Sequence, residues 1–429
     1  MFGFANFLLL ALFAAAVFDL IFALARGGGL RGALHGLWNT PHLLFGQQLA
    51  EWRLQLGRIL FAAGLAAYEI SVVFCNSMAR QNWAWVQGVM SPVLEWLAFL
   101  CFGAKILFGT RYTWRELLAG GALYFIARWV YFNSQNIWWI GIVVAVLAAK
   151  DVPLRRPLQV YFASGCAAMA VVLALHFAGI VAPDLTSERM GALRGTYGYG
   201  HPNTFGGLVF GLVLAYALLR AQKVRWVDCL LVFAVGVFLL VGPASRSAAL
   251  CTLALAVGLV FCRLRAGHSV PRWWSGTCAG MVGLTAAVSY LLPLLVIKVG
   301  PWNNDIGPAW LAKLDSLLTC RISLTWMAYR LLDVKIAGQV FNWPTVDNSF
   351  AFALFQFGPV VAALLGILFA AALLGHAKQG RRVEVCCLFA MLAYAYMEVQ
   401  PFHLTTNPTA LLLCGAVFAQ TSARWQKIE

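Results

Sequence analysis

The chain has 429 residues, of which 62% are hydrophobic and 11% are charged, and its formal net charge is +15 at pH 7. So apolar a composition excludes a soluble globular protein, and repeated apolar runs of about twenty residues are typical of transmembrane helices. The basic excess does not require a nucleic-acid partner, because cytoplasmic loops and anionic lipid headgroups account for it.

The apolar runs predict an all-α polytopic membrane protein, with residues 1–429 in a single membrane domain. The predicted spans, about thirteen, are 4–25, 57–76, 90–109, 116–132, 136–149, 157–181, 203–220, 226–243, 246–262, 276–297, 347–374, 383–398 and 406–421. The first is interpreted as a span and not as a signal peptide, since it has neither a basic leading segment nor a cleavage signature. The eleven cysteines are scattered through apolar runs, so neither a disulfide framework nor a metal site is expected.

Basic residues predict the orientation of these spans. They cluster in every second connection and at the C-terminus: Arg26/Arg31/Arg53/Arg58, Lys105/Arg111/Arg115, Lys150/Arg155/Arg156, Arg220/Lys223/Arg225, Arg263/Arg265/Arg272, Lys378/Arg381/Arg382 and Arg424/Lys427. The positive-inside rule makes these connections cytoplasmic and places the N-terminus outside.

Two of the alternate, outward connections are long, 182–202 and 298–346, and we expect them to form the functional site. Within the second, Leu311 to Leu332 has helix-like spacing of Leu, Trp and Tyr. This spacing predicts one amphipathic helix that lies on the outer surface of the membrane.

The stretch from Arg194 to Gly206 is the first candidate site. Four glycines after Arg194 and one proline disfavour an ordinary helix start, and Arg194, His201 and Asn203 fall within ten residues beside a long apolar run. Polar groups at a membrane boundary are costly unless paired, so such a cluster indicates function. The alternative is a tight turn in which Pro202 and Asn203 cap the following helix, which would not explain Arg194 or His201.

Three further polar positions share the predicted outer side. Arg246 stands between Ser245 and Ser247 in a short turn, Arg321 lies in the long loop, and Asp347 opens the eleventh span. An arginine fork suits phosphate and pyrophosphate, because it donates several hydrogen bonds and stays charged. The alternatives are an interfacial anchor or carboxylate partner for Arg246 and a helix N-cap for Asp347.

Several catalytic signatures are absent from the sequence. It has no GxxxxGK[ST] phosphate loop, no GxSxG, no HExxH and no paired-aspartate metal motif. We therefore expect no metal and no cofactor, and a reaction driven by a substrate that arrives activated.

At these residues the chain resembles the O-antigen ligase/polymerase superfamily, and most of all its Wzy-type branch, which polymerises capsular or exopolysaccharide repeat units. The matching pieces are Gly198–Gly206, Ser245–Ser247, Cys320–Tyr329, Asp347-Asn348-Ser349-Phe350 with Phe355–Gly358, and Asn407. Two positions depart from the usual pattern: Gly338-Gln339-Val340 replaces a Gly-x-Gly stretch, and Ser247 stands where Thr is common.

The resemblance implies an inverting, metal-independent membrane glycosyltransferase of the GT-C type at the outer face of the bacterial cytoplasmic membrane. Its substrate would be undecaprenyl-pyrophosphate-linked oligosaccharide, and its partners membrane lipids and a chain-length regulator or flippase. The implied roles are a proton acceptor (His201, Asp347), pyrophosphate binding (Arg194, Arg246, Arg321) and glycan contact (Tyr197, Tyr199, Asn203, Ser245, Asn348).

Two other functions stay open. A flippase or other transporter of lipid-linked oligosaccharide would also be apolar, basic and rich in arginine, but would carry its charges at the membrane midplane in broken helices or inverted repeats. A ligase that transfers finished glycan to lipid or protein belongs to the same superfamily, and the sequence does not separate it from a polymerase.

Overall fold

The computed structural model describes residues 2–25, 29–181, 187–189, 192–266, 271–296 and 307–418. Its α-helices are α1 (Phe2–Ala25), α2 (Gly29–Asn39), α3 (Ala50–Cys75), α4 (Ala79–Asn82), α5 (Ser91–Phe108), α6 (Trp114–Ser134), α7 (Ile137–Ala148), α8 (Arg155–Phe177), α9 (Pro202–Leu219), α10 (Trp226–Val241), α11 (Arg246–Leu264), α12 (Arg272–Leu291), α13 (Ala309–Leu317), α14 (Arg321–Leu331), α15 (Ser349–Phe352), α16 (Pro359–Lys378), α17 (Arg382–Met397) and α18 (Cys414–Val417). Short π-helices cover Val86–Met90 and Ala353–Phe357, and 3₁₀-helices cover Leu292–Leu295, Gln400–Phe402 and Pro408–Leu413.

Strands are few and short. Strand β1 (His42–Leu43) pairs with β2 (Arg111–Tyr112), and β3 (Ser187–Arg189) forms an antiparallel pair with β4 (Ala192–Arg194). The expectation of an all-α polytopic membrane protein is confirmed at this level of detail.

Within the described residues, eight helical segments are long and apolar enough to cross a membrane: Gly3–Ala25, Ala50–Cys75, Val86–Phe108, Arg155–Phe177, Pro202–Leu219, Arg246–Leu264, Trp273–Leu295 and Pro359–Lys378. Three more apolar helical segments are shorter, namely Ile137–Ala148, Trp226–Val241 and Pro408–Val417. The chain is therefore multi-pass by length and composition, whereas the count of thirteen spans stays a prediction.

Helix α9 is the centre of the bundle. It packs against α8, α11 and α17, and most of its length is buried. A Cβ on Gly206 would lie 2.2 Å from the Ser245 Oγ, so only glycine lets the start of α9 approach the start of α11 this closely. The glycine-rich stretch read from the sequence thus brings two candidate segments together.

Two predicted spans are interrupted. The span predicted at 347–374 consists of α15, the π-helix and α16, separated at Gly358, whose φ of 89° is strained for other residues. The span predicted at 406–421 begins as the buried 3₁₀-helix Pro408–Leu413 and continues into α18. A hydropathy pattern identifies apolar runs, but it does not predict where an α-helix changes to a π- or 3₁₀-helix.

The single surface helix predicted from Leu311 to Leu332 is wrong. The segment forms two helices, α13 and α14, which are separated at Thr319 and Cys320, both with positive φ. The completely buried Asp315 carboxylate accepts hydrogen bonds from the Ile322 and Ser323 backbone N–H groups, at 2.7 and 3.1 Å. This carboxylate caps the second helix from within the first, and an apolar periodicity does not reveal such a contact.

Parts of both predicted outer loops lie outside the described residues. These are 182–186 and 190–191 in the first loop and 298–306 in the second, with Asp184 and Asp305 among them. Residues 419–429, which include the end of the last predicted span, also lie outside.

Candidate functional site

The centre of the polar cluster is Glu398, one residue beyond the end of α17 and 5% exposed. Its Oε1 accepts a hydrogen bond from Arg321 Nη2 at 2.6 Å and another from Asn203 Nδ2 at 3.1 Å. One carboxylate oxygen therefore joins the first residue of α14 and the first turn of α9 to the end of α17.

Arg194 enters the same cluster through Asn203. It is the last residue of β4 and is 6% exposed. Its Nη2 donates to Asn203 Oδ1 at 2.9 Å and to the Ala244 carbonyl at 3.2 Å. The Asn203 amide is thus a bridge: its oxygen accepts from Arg194, and its nitrogen donates to Glu398.

Arg321 is held by contacts with several segments of the chain. Its Nη1 donates to the Leu318 carbonyl at 2.9 Å, and its Nε donates to the Met397 carbonyl. Its Nη2 lies 3.4 Å from Ser247 Oγ, and Asp347 Oδ2 lies 4.0 Å from Nε. A buried fork held on all sides has one orientation, so Arg321 is well suited to present charge at a fixed point.

The electrostatics of the cluster follow from burial. Loss of hydration raises the pKa of the Glu398 carboxyl to about 7, although attraction by Arg321 opposes the shift and Asp347 adds to it. Glu398 is enclosed by donors, whereas the Asp347 side chain is 32% exposed. Glu398 therefore acts on the arginines as a positioning residue, and Asp347 is the carboxylate that a ligand can reach.

Arg246 lies between the points that the other two arginines touch. It is the exposed first residue of α11, two residues after Ala244 and next to Ser247. Two Cα steps cover at most about 7.6 Å, so the Arg194 contact with Ala244 and the Arg321 contact with Ser247 both lie close to the Arg246 backbone. That Arg194, Arg246 and Arg321 share one site, and the roles of the three arginines, stay predictions.

The structure reverses the capping assignment in the first candidate stretch. His201, not Asn203, is the N-cap of α9, and its Nδ1 accepts from the Asn203 backbone N–H at 3.1 Å. The expectation that capping would explain Asn203 but not His201 is therefore wrong. The His201 side chain remains exposed.

A similar reversal applies at the start of α15. Asn348 is the N-cap, and its Oδ1 accepts from the Phe350 and Ala351 N–H groups at 2.9 and 3.1 Å. Its Nδ2 donates to Ser289 Oγ at 3.1 Å. Asp347 is not the cap, and its carboxylate points to Arg321 instead.

Packing accounts for the other residues predicted to touch glycan. Tyr197 stacks on Phe205 with ring centroids 5.1 Å apart, and Tyr199 is completely buried. Ser245 is buried against Gly206. Glycan contact by Tyr197, Tyr199, Asn203, Ser245 and Asn348 stays a prediction.

The sequence analysis missed Glu398 and Gln400. Gln400 Nε2 donates to the Asn203 carbonyl at 3.2 Å, and its Oε1 accepts from the Tyr394 hydroxyl at 2.7 Å. The available signal was a lone carboxylate at the outward end of an apolar span, which is the same rule that selected the arginines.

Three helices carry the cluster at one end and basic residues at the other. Helices α9, α11 and α17 have 18, 19 and 16 residues, so each is about 24–29 Å long, close to the thickness of a bilayer core. Arg220, Arg263 and Arg382 lie at the ends opposite the cluster. The cluster and these basic ends therefore lie at opposite ends of the same helices, and their placement on opposite membrane faces stays a prediction.

This arrangement predicts the sidedness of labelling. Cysteines introduced at the exposed positions His201 and Arg246, in a background without the eleven native cysteines, should react with an impermeant maleimide in intact cells. A cysteine at Lys223, on the opposite face, should react only after the membrane is disrupted. The reverse pattern would show that the positive-inside orientation is wrong.

A second prediction separates the two roles of His201. Asn is a good N-cap but has no imidazole, so His201→Asn should leave thermal stability within about 0.5 kcal/mol. If the imidazole accepts a proton in the reaction, the turnover should fall about 100-fold or more. Unchanged turnover in this variant would leave His201 as a cap and nothing else.

Within the described ranges, no group of three or more His, Cys, Asp or Glu side chains is placed to hold a metal ion. No family model, no curated protein and no solved structure matches the chain.

Proposed function

We propose that the chain is a polysaccharide polymerase that joins undecaprenyl-pyrophosphate-linked repeat units at the outer face of the bacterial cytoplasmic membrane. It would belong to the Wzy-type branch of the O-antigen ligase/polymerase superfamily, act by inverting transfer without metal or cofactor, and serve capsule or exopolysaccharide synthesis.

One observation carries the proposal: Arg194 donates to the Ala244 carbonyl and Arg321 lies near Ser247 Oγ, so both side chains reach the start of α11, where Arg246 is the first residue. With Glu398 and Asp347 both ionised, the three arginines leave one excess positive charge in this region. A diphosphate carries about two negative charges, and its burial without cations would cost several kcal/mol or more.

The proposed reaction requires two things of these side chains, stabilisation of the leaving pyrophosphate and acceptance of one proton. A hydroxyl oxygen of the incoming unit attacks the anomeric carbon of the growing chain, and the bond from that carbon to the pyrophosphate oxygen breaks. The electron pair leaves with the pyrophosphate, whose charge the arginines stabilise. The hydroxyl proton passes to Asp347, whose side chain is 32% exposed, or to His201, whose Nδ1 must first release the Asn203 N–H because a neutral imidazole has one acceptor nitrogen.

The transporter alternative has one observation in its favour. Glu69, within α3, is 2% exposed, and its Oε2 has no hydrogen-bond partner among the described residues. A buried carboxylate inside a membrane helix is typical of ion or substrate pathways. A ligase reaction would use the same arginine cluster.

The length of lipid-linked glycan in a deletion strain tests the proposal. Loss of a polymerase leaves single repeat units on undecaprenyl pyrophosphate. Full-length chains that stay on the lipid would indicate a ligase, and units that accumulate on the cytoplasmic side would indicate a flippase; either result would overturn the proposal.

A further inference from the structure

A second polar region lies at the opposite ends of the helices that carry the arginine cluster. A cavity of about 760 Å³ lies there between the start of α8, the α9–α10 connection, the end of α11, the α16–α17 connection and Leu412 of the last 3₁₀-helix. Because five separate segments contribute, the cavity is a product of the fold and not of one basic sequence run.

Positive charge predominates in the lining of this cavity, which is called the basic cavity below. Six basic side chains line it: Arg155, Arg220, Lys223, Arg263, Arg381 and Arg382. Glu384 is the one carboxylate among the lining residues, so the lining has an excess of five positive charges. Asp228, which is not part of the lining, pairs with Arg220 at 3.1 Å and reduces this excess by one.

Apolar side chains complete the cavity wall. Leu154, Leu158, Leu218 and Val383 line it and are buried. A free anion would gain no binding energy from these apolar side chains. A phospholipid can place its phosphate among the arginines and pack its glycerol and first acyl carbons against the leucines.

We infer that the basic cavity binds the headgroup of an anionic phospholipid, and that a lipid with two phosphates, such as cardiolipin, fits it best. Arginine forks match phosphate oxygens, and basic pockets between membrane helices on the cytoplasmic side suit such headgroups. The inference does not rest on the proposed polymerase activity, since it uses only the opposite ends of the helices.

The test is the binding of fluorescent cardiolipin to the purified full-length protein in a neutral detergent. Binding should be at least tenfold tighter than that of phosphatidylcholine. The variant Lys223→Gln/Arg263→Gln/Arg381→Gln should bind about 100-fold more weakly, since each basic residue near an anionic lipid contributes about fivefold. The single variant Lys223→Gln, in an exposed connection, should lose about fivefold and serves if the triple variant does not fold.

A matched control removes three charges from the same membrane face outside the cavity. The variant Arg58→Gln/Arg115→Gln/Arg265→Gln replaces three exposed arginines and should bind cardiolipin as the native protein does. Equal weakening in the control would show diffuse attraction and overturn the site. Displacement of the lipid by millimolar inorganic phosphate would also overturn it, because the cavity would then bind free phosphate.

Discussion

Arg321→Met is expected to lower the stability of the protein by about 3–5 kcal/mol and to abolish chain elongation. The substitution removes the donor to Glu398 at 2.6 Å and leaves a carboxylate that is 5% exposed with less charge compensation. The measurement is thermal unfolding of the purified protein, together with elongation of lipid-linked repeat units.

The double variant Arg321→Met/Glu398→Gln separates stability from function. Removal of both charges should restore most of the lost stability, because a buried ion pair can be replaced by uncharged groups at little cost. Elongation should remain lost, since the arginine is still absent. Arg330→Ala is the control, because this exposed arginine of α14 contacts only the Trp326 ring among the described residues, at 5.3 Å, and should change stability by about 1 kcal/mol or less. Normal elongation by the stable double variant would remove Arg321 from the site.

Arg246→Lys is expected to reduce turnover about 100- to 1,000-fold at normal expression, the usual effect of losing one donor to a developing anion. Lysine keeps the charge but lacks the planar fork that grips two phosphate oxygens. Because Arg246 is exposed, its replacement should leave the fold intact. The readout is polymer length in cells and the initial rate of elongation by purified protein.

Arg265→Lys is the control for this change, since Arg265 is an exposed arginine at the other end of the same helix. It should give polymer of native length. Native polymer length from Arg246→Lys would contradict the proposed pyrophosphate site even if Arg321 proved essential.

Apolar runs and charge bias predicted the fold class, because the absence of water in the bilayer forces backbone groups into helices. The same reasoning found Arg194, Arg246 and Arg321, because a charged side chain at a membrane boundary is costly unless it is paired or binds a ligand. It did not find the partner, Glu398, because 204 positions separate the two ends of the Arg194–Asn203–Glu398 chain. Pairing over such a distance depends on the packing of α9 against α17.

Capping residues were harder to predict than membrane spans. Asn203 and Asp347 had the right side chains for N-caps, yet the neighbouring residues His201 and Asn348 take those positions. A shift of one or two residues at a helix start changes which side chain faces the site, and local sequence does not fix it. The break at Thr319 and Cys320 was missed for a related reason, since the Asp315 cap that stabilises it comes from the preceding helix.

The most direct measurement of the central claim is elongation by the purified protein, with lipid-linked repeat units as sole substrate, in EDTA and without nucleotide. Transfer driven by the pyrophosphate leaving group and stabilised by arginines should proceed at an undiminished rate, release undecaprenyl pyrophosphate and yield products longer by whole repeat units. No elongation without Mg²⁺ or Mn²⁺, or no elongation under any condition by well-folded protein, would contradict the account.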